Sequence, residues 1–352
     1  MTHSTIALFL LALGATAPAS IAGPLTPPPG PVNSTSLPLA EAEPRTPISV
    51  ANTPGDADAV FVISTPGSYF LTSNIAADTG RSAIKVAASR VTIDLRGFLV
   101  SGVPGSVHGV SIATGGDIRI QNGHLANTPG FGINGGSGTA ISVDNVTCVN
   151  AAMGGIRVGN ASVVSNCHVQ SAGPEGGISV GIASIIDACR VTNGAGSGVV
   201  ADWNTLVTRS TSFANAGAGF DMQSRSTIIG CAARANAQSG IRASAGVVVR
   251  GCNSNSNLGA GIEANNSALI RDNLCRENDV GITLSGADSR VEGNHLLGNA
   301  FGVRSITGGN LIIANALSLN ATDFDLGGVD TIGPTIPPGP ITSTSPWANF
   351  SF

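Results

Sequence analysis

A glycine followed by an apolar residue recurs along most of the chain at nearly constant spacing. The repeated pairs are Gly109-Val110, Gly132-Ile133, Gly155-Ile156, Gly177-Ile178, Gly198-Val199, Gly219-Phe220, Gly240-Ile241, Gly261-Ile262, Gly281-Ile282 and Gly302-Val303. Successive pairs lie 20 to 23 residues apart. A fixed period of this length indicates stacked supersecondary units, which bury their apolar residues only against their neighbours.

Within one repeat, apolar and polar residues alternate as they do in short β-strands. Ile241 and Ala243 are predicted to face one side of the chain, and Arg242 and Ser244 the other. Nothing in the repeats has a helical period. Three short strands and three turns in about 21 residues describe one coil of a parallel β-helix. The pattern therefore predicts an all-β solenoid of about 10–11 coils.

Asparagine forms a second periodic feature, with steps of 21 or 22 residues. Its members are Asn193, Asn215, Asn236, Asn257, Asn278, Asn299 and Asn320. Because stacked coils place equivalent residues above one another, we predict a structural ladder at a turn. Asparagine tolerates left-handed backbone there, and its amide can hydrogen-bond to the asparagine of the next coil.

Four cysteines share another column, 11 residues after the apolar residue of their own glycine pair. They are Cys167, Cys189, Cys231 and Cys252. Side chains stacked on neighbouring parallel strands rarely have the geometry of a disulfide, so we predict buried thiols that pack as small apolar groups. Disulfides are the alternative, since cysteines in an exported chain often pair. Cys148 and Cys275 fall outside this column and are expected to be the more accessible.

The N-terminus is typical of an export signal. Residues 6–15 are apolar but too few to cross a bilayer, and small residues suited to cleavage follow up to Ala22. The first five residues contain no lysine or arginine, so a retained anchor is the alternative. We predict a signal peptide over 1–22 and a Pro- and Ser-rich spacer over 23–47. After cleavage no membrane span is expected, and the protein would be periplasmic, on the cell surface or secreted.

The ends of a β-helix expose open strand edges that need covering. Aromatic residues concentrate at both ends of the repeats: Phe61, Tyr69 and Phe70 near the start, Trp347 and Phe350 near the end. The predicted β-helix spans 48–330, with an N-terminal cap over 48–80 and a Pro-rich C-terminal tail or cap over 331–352.

Composition narrows the range of partners. The net charge is −4 at pH 7, Lys85 is the single lysine, and the arginines are scattered. Nucleic-acid binding needs clustered basic residues, so no nucleic-acid partner is predicted. Ligand spacings for a metal and a phosphate loop for a nucleotide cofactor are both missing. We expect a monomer without cofactor or metal.

Three segments carry a resemblance to a known group: Thr65–Leu71 (TPGSYFL), Val91–Phe98 (VTIDLRGF) and Pro346–Phe350 (PWANF). Together with the glycine repeat, they resemble exported bacterial right-handed parallel β-helix repeat proteins of the pectate-lyase-like superfamily. The resemblance covers roughly residues 45–352. It implies the fold and a polysaccharide as the class of ligand. The polygalacturonase, pectate lyase and alginate lyase motifs are mostly absent, so it implies no reaction.

One outward-facing column interrupts the small polar residues that dominate the surface. It contains Arg157, Ser179, Val200, Asp221, Arg242, Glu263, Thr283 and Arg304. Asp221 and Glu263, two coils apart, would be separated by about 9.6 Å, near the upper end for an inverting glycosidase pair. Arg242 between them could neutralise negative charge. These three are the candidate catalytic residues.

The candidates for substrate binding are Asp202 and Gln223 from the next outward column, Trp203 beside Asp202, and Arg157 from the outward-facing column itself. An ion-pair ladder Asp221–Arg242–Glu263 is the structural alternative. Two functions follow. The first is a non-catalytic exported protein that binds a glycan or a partner or is structural. The second is a polysaccharide lyase or glycoside hydrolase that acts on an acidic polysaccharide along this face.

Overall fold

The computed structural model describes residues 45–341 and 343–352. Every regular element in this part of the chain is a β-strand, and all strand pairs are parallel. The predicted signal peptide and nearly all of the predicted spacer lie outside the described residues. The strands stack about 21 residues apart into a solenoid with three faces, which confirms the all-β fold class. No helix of the described residues is long and apolar enough to cross a membrane.

The first face is a separate 13-stranded sheet. Its strands are Ala59–Ile63, Ser82–Val86, Val110–Ile112, Phe131–Gly135, Gly154–Val158, Ile178–Val180, Val199–Ala201, Phe220–Met222, Ile241–Ala243, Ala260–Ala264, Val280–Leu284, Phe301–Ser305 and Thr322–Leu326. In the ten repeats that have a glycine–apolar pair, the strand begins at or near that pair.

The second and third faces are joined into one 26-stranded sheet. The second face contains Thr46–Pro47, Gly67–Phe70, Val91–Asp94, Val163–Ser165, Ile185–Asp187, Leu206–Thr208, Thr227–Ile229, Val248–Arg250, Leu269–Arg271, Arg290–Glu292, Leu311–Ile313 and Thr331–Ile332. The third contains Ile75–Ala76, Leu99–Ser101, His168–Gln170, Arg190–Thr192, Thr211–Phe213, Ala232–Arg234, Asn253–Asn255, Leu274–Arg276, His295–Leu297, Ala316–Ser318, Asn349–Ser351 and Thr335–Ile336. Gly116–Ala126 and Thr139–Val149 run through both faces.

The solenoid has about 14 turns, more than the 10–11 predicted. The shortfall arises because the glycine repeat does not mark the outermost turns. Phe61, Ile84 and Phe324 occupy the apolar position of the pair there, and none of them follows a glycine.

Close packing explains the glycine in the central turns. A Cβ atom at Gly240 would lie 2.0 Å from Ser254 Oγ and 2.7 Å from Asn257 Nδ2, both from the same turn. On the strand that follows, Ile241 and Ala243 are buried while Arg242 is half exposed. The interior is a continuous column of Val, Ile, Leu and Ala side chains, contributed by all three faces.

The asparagine ladder runs through the corner after the third face. Asn236 Nδ2 donates to Asn257 Oδ1 at 2.9 Å, and Asn257 Nδ2 donates to Asn278 Oδ1 at 3.0 Å. Asn193 lies one residue before the ladder and is exposed; Gly194 takes the ladder position, and its N–H donates to Asn215 Oδ1. The left-handed residues are those that precede the ladder asparagines: Ala214, Ala235, Ser256, Glu277 and Leu319.

The predicted cysteine column lies at the corner between the second and third faces. It is part of a longer polar column, because Ser210 accepts a hydrogen bond from the Cys189 N–H and Asn273 accepts one from the Cys252 N–H. All six cysteines are buried and unbridged. Cys148 and Cys275, expected to be more accessible, are fully buried because each is the central, inward residue of a third-face strand segment.

Both predicted caps form strands of the solenoid. Residues 48–80 contain one strand on each face and so complete a turn, and Thr46–Pro47 of the predicted spacer pairs with Gly67–Phe70. In the C-terminal tail, Asn349–Ser351 lies between Ala316–Ser318 and Thr335–Ile336. The tail therefore extends the third face rather than only covering its edge.

Candidate functional site

Asp221, Arg242 and Glu263 occupy equivalent outward positions on three successive strands of the first face. We call them the charged column. The Arg242 guanidinium lies between the two carboxylates, with Nη1 3.3 Å from Asp221 Oδ2 and Nε 3.8 Å from Glu263 Oε2. The strict repeat length aligns them, since each follows the buried apolar residue of its glycine–apolar pair.

Neighbouring polar side chains complete the contacts of the charged column. Arg242 Nη2 donates to Gln238 Oε1 at 2.6 Å, and Ser239 Oγ donates to Glu263 Oε2 at 2.7 Å. A glycosidase pair requires one carboxyl group that holds a proton for the leaving group. Here both carboxylates contact a single guanidinium, which is the arrangement of a surface ion-pair ladder.

The candidate binding residues divide into two groups. Asp202 and Gln223 directly follow the strands Val199–Ala201 and Phe220–Met222, so they lie at the corner where the first face ends, beside the charged column. Asp202 Oδ1 accepts a hydrogen bond from the Trp203 N–H at 2.8 Å, and the Trp203 side chain is 51% exposed. Gln223 Oε1 accepts a weak hydrogen bond from Ser244 Oγ.

Arg157 is separated from this group. Arg157 and Asp221 are three strands apart in the same outward column, which corresponds to about 14 Å. Its guanidinium stacks over the Phe131 ring, with a distance of 5.5 Å to the ring centroid. The structure therefore does not bring Arg157 together with the other candidates.

Sequence analysis missed two further ion-paired clusters on the first face. Lys85 contacts both Asp56 and Asp58, and these carboxylates raise the pKa of the lysine while Lys85 lowers the pKa of Asp56. Near the other end, Arg304 Nε lies 2.8 Å from Asp325 Oδ2. The signal for the second pair was available, since the two residues are 21 positions apart.

Comparison with known proteins concerns the fold. A family model described as a right-handed β-helix region matches residues 176–317. No curated protein matches the chain. Among solved structures, the A-module of mannuronan C-5 epimerase AlgE4 of Azotobacter vinelandii is similar at 13% identity and a TM-score of 0.48, over 82% of this chain and 91% of that one.

A second similar structure is an exopolygalacturonase of Thermotoga maritima, at 10% identity and a TM-score of 0.46. The match covers 77% of this chain and 83% of that one. Because a shared fold does not determine function, the function of this chain depends on its own residues. The match over residues 176–317, together with the parallel strands stacked about 21 residues apart, shows that the fold of the described chain is a right-handed parallel β-helix.

Proposed function

We propose that this protein is an exported, non-catalytic β-helix that binds a glycan at the first face, around Trp203 and the charged column. The observation that carries the proposal is the half-exposed indole of Trp203 at a corner lined with polar side chains. An aromatic ring offers an apolar face to the C–H groups of a sugar, while Asp202 and Gln223 offer hydrogen bonds to its hydroxyl groups.

The contacts of the charged column favour binding over catalysis. Arg242 contacts Asp221 and Glu263, so neither carboxylate stands alone as a proton donor or a base. A lyase or hydrolase acting on an acidic polysaccharide is the competing function, and it would require Arg242 to exchange these partners for a substrate carboxylate. The spacing of the two carboxylates, two strands apart, is the feature that supports it.

A polysaccharide panel tests both functions. Affinity electrophoresis against neutral and acidic polysaccharides should detect binding, and Trp203→Ala should weaken it about tenfold, the effect of one lost aromatic contact. Trp347→Ala is the matched control, because Trp347 is 50% exposed and lies in the C-terminal tail. Equal losses in both variants, or no binding by the unmodified protein, would contradict the proposal.

Turnover of a polysaccharide in the same panel would distinguish an enzyme from a binding protein. New reducing ends would indicate hydrolysis, and absorbance of an unsaturated product would indicate elimination. If either activity appears and is lost in Asp221→Asn or Glu263→Gln, the charged column is a catalytic site and the protein is an enzyme.

Export is a separate part of the proposal and has its own test. It is supported by the apolar segment over residues 6–15 and the small residues that follow it. N-terminal sequencing of the protein recovered outside the cytoplasm should give a chain that begins at Gly23. An intact N-terminus would instead support the retained anchor.

A further inference from the structure

The third face carries a shallow hollow of about 460 Å³, away from the charged column. Arg190, Phe213, Arg234 and Asn255 are among the residues that line it. Its volume falls within the range of small-molecule sites in proteins. Because the hollow lies on strands of a different sheet, it can be tested independently of the first face.

The strand register forms the hollow from two outward columns. Arg190, Thr211, Ala232 and Asn253 occupy one column on four successive strands. The small side chain of Ala232 leaves a depression between its longer neighbours. Arg234 lies in the adjacent column, two strands beyond Arg190, which corresponds to about 9.6 Å along the solenoid axis.

The two arginines of the hollow lack the partners that most others have. Neither the Arg190 nor the Arg234 side chain forms a hydrogen bond or ion pair with another described residue, and no carboxylate lines the hollow. Arg276, two strands beyond Arg234 in the same column, is by contrast bound to Glu277 through its Nη2 at 2.6 Å. The hollow thus presents two guanidinium groups that no carboxylate of the described residues contacts.

Other groups at the hollow add no competing charge. Burial, and then the charge of Arg190, lower the pKa of the neighbouring His168, so its imidazole is neutral at pH 7. The hydrogen bond from Arg276 is the main cause that lowers the pKa of Glu277, and the more distant charge of Arg234 makes the smallest contribution. Asn255 Oδ1 is buried without a hydrogen-bond partner. Buried polar atoms without a partner are uncommon in folded proteins. Rotation of the Asn255 amide would present its Oδ1 to a hydroxyl group of a ligand.

We propose that this hollow binds a carboxylated oligosaccharide, with Arg190 and Arg234 each pairing with one carboxylate of the ligand. The planar guanidinium fork matches the geometry of a carboxylate. Phe213 between the arginines provides an aromatic surface for a sugar ring, and Thr211 and Asn253 provide hydrogen bonds to hydroxyl groups. The inference rests on the proposed function in taking a glycan as the class of ligand.

Calorimetric titration with short oligogalacturonates and oligomannuronates tests the inference, with neutral cello-oligosaccharides as the comparison. The acidic sugars should bind and the neutral ones should not. Arg190→Ala and Arg234→Ala should each reduce affinity about tenfold or more, as expected for a lost hydrogen bond to a charged group. Both side chains are exposed, so the variants should keep the circular dichroism spectrum of the unmodified protein.

Arg276→Ala is the matched control, because it removes the same charge from the same face where Glu277 already neutralises it. The inference is overturned if no acidic oligosaccharide binds, if neutral sugars bind equally well, or if all three variants lose affinity alike. The Trp203→Ala variant distinguishes binding at the hollow from binding at the first face. Loss only in the two hollow variants would support the hollow and reject the first face, and loss only in Trp203→Ala would do the reverse.

Discussion

Asn257 is the ladder residue whose removal should have the largest effect on stability. Its side chain is almost completely buried. Its Oδ1 accepts hydrogen bonds from the backbone N–H and the Nδ2 of Asn236, at 3.0 and 2.9 Å. Its own Nδ2 donates to Ala233 O, Ser254 Oγ and Asn278 Oδ1. One amide therefore joins three turns of the solenoid, its own and the turns before and after it.

Asn257→Ala should destabilise the protein by about 3–5 kcal/mol. The change leaves two buried donors of Asn236 without this acceptor, and each such donor costs about 1–3 kcal/mol. Asn236 Nδ2 keeps only a longer contact, 3.3 Å, to Ser212 O. The effect should be local, since the asparagines beyond Asn278 keep their bonds to one another.

Native-state hydrogen exchange at the Asn236 amide is the sharpest measurement, because long repeat arrays can unfold in parts. Exchange should accelerate about a hundredfold, which corresponds to about 3 kcal/mol. Denaturation by guanidinium should show a matching shift of the midpoint.

Asn193→Gly is the control for this prediction. Asn193 is exposed, has no side-chain hydrogen bond and has a φ of 56°, a conformation that glycine adopts readily. Its substitution should change stability by no more than about 0.5 kcal/mol. If Asn257→Ala proves no more harmful than Asn193→Gly, the ladder does not stabilise the solenoid and the reasoning fails.

Three further predictions concern the thiols, acid stability and the C-terminal strand. All six cysteines are buried, so folded protein should resist a thiol reagent at each of them. Burial also raises the pKa of Cys148 to about 12 and raises the pKa of Cys275. Denatured protein should react at all six without prior reduction, and a mass two units low per bridge would contradict this. The hydrogen bond from Arg209, and then that from Thr208, lowers the pKa of Asp187 below its unfolded value. The resulting stabilisation is complete above the unfolded pKa of about 4 and is lost as pH falls through the folded pKa. Asp187→Asn should therefore be less stable than the parent at pH 7, and the difference should vanish in acid unfolding curves. Asn349→Ala removes the acceptor of two buried donors of Asn315. It should release the terminal strand and cause concentration-dependent association in size-exclusion chromatography; a monomeric, unchanged elution profile would argue against that role.

The repeat length made the alignment of the charged column predictable. Every step between Asp221, Arg242 and Glu263 equals the period, so residue counting and strand register agree. The error at Asn193 has the opposite cause. The predicted ladder contains a step of 22 residues from Asn193 to Asn215, although Asn215, Asn236 and Asn257 each lie five positions after the cysteine-column residue of their turn. Counting from Cys189 in the same way gives Gly194.

Other contacts of the solenoid could not be predicted from the repeat length alone. The cysteine column continues through Asn273, Asn294 and Asn315, but the change of residue type concealed that continuity. Asn349 completes the same column from 34 positions further along. A tail of that length has no period to fix where it returns to the solenoid. Only the three-dimensional arrangement places it beside Asn315.

The distribution of ion pairs among the outward arginines indicates which of them are available to bind a ligand. Inward positions and corners are constrained by packing and buried hydrogen bonds, whereas outward positions are free to vary without affecting the fold. Where arginines occur on these faces, a carboxylate commonly lies on the adjacent strand or next residue, as for Arg242, Arg304 and Arg276. Two guanidinium groups left unpaired on the same face repel each other and add nothing to stability. Arg190 and Arg234 lack the ion pairs that most of the other described arginines form, and a ligand that brings its own carboxylates would pair with both of them.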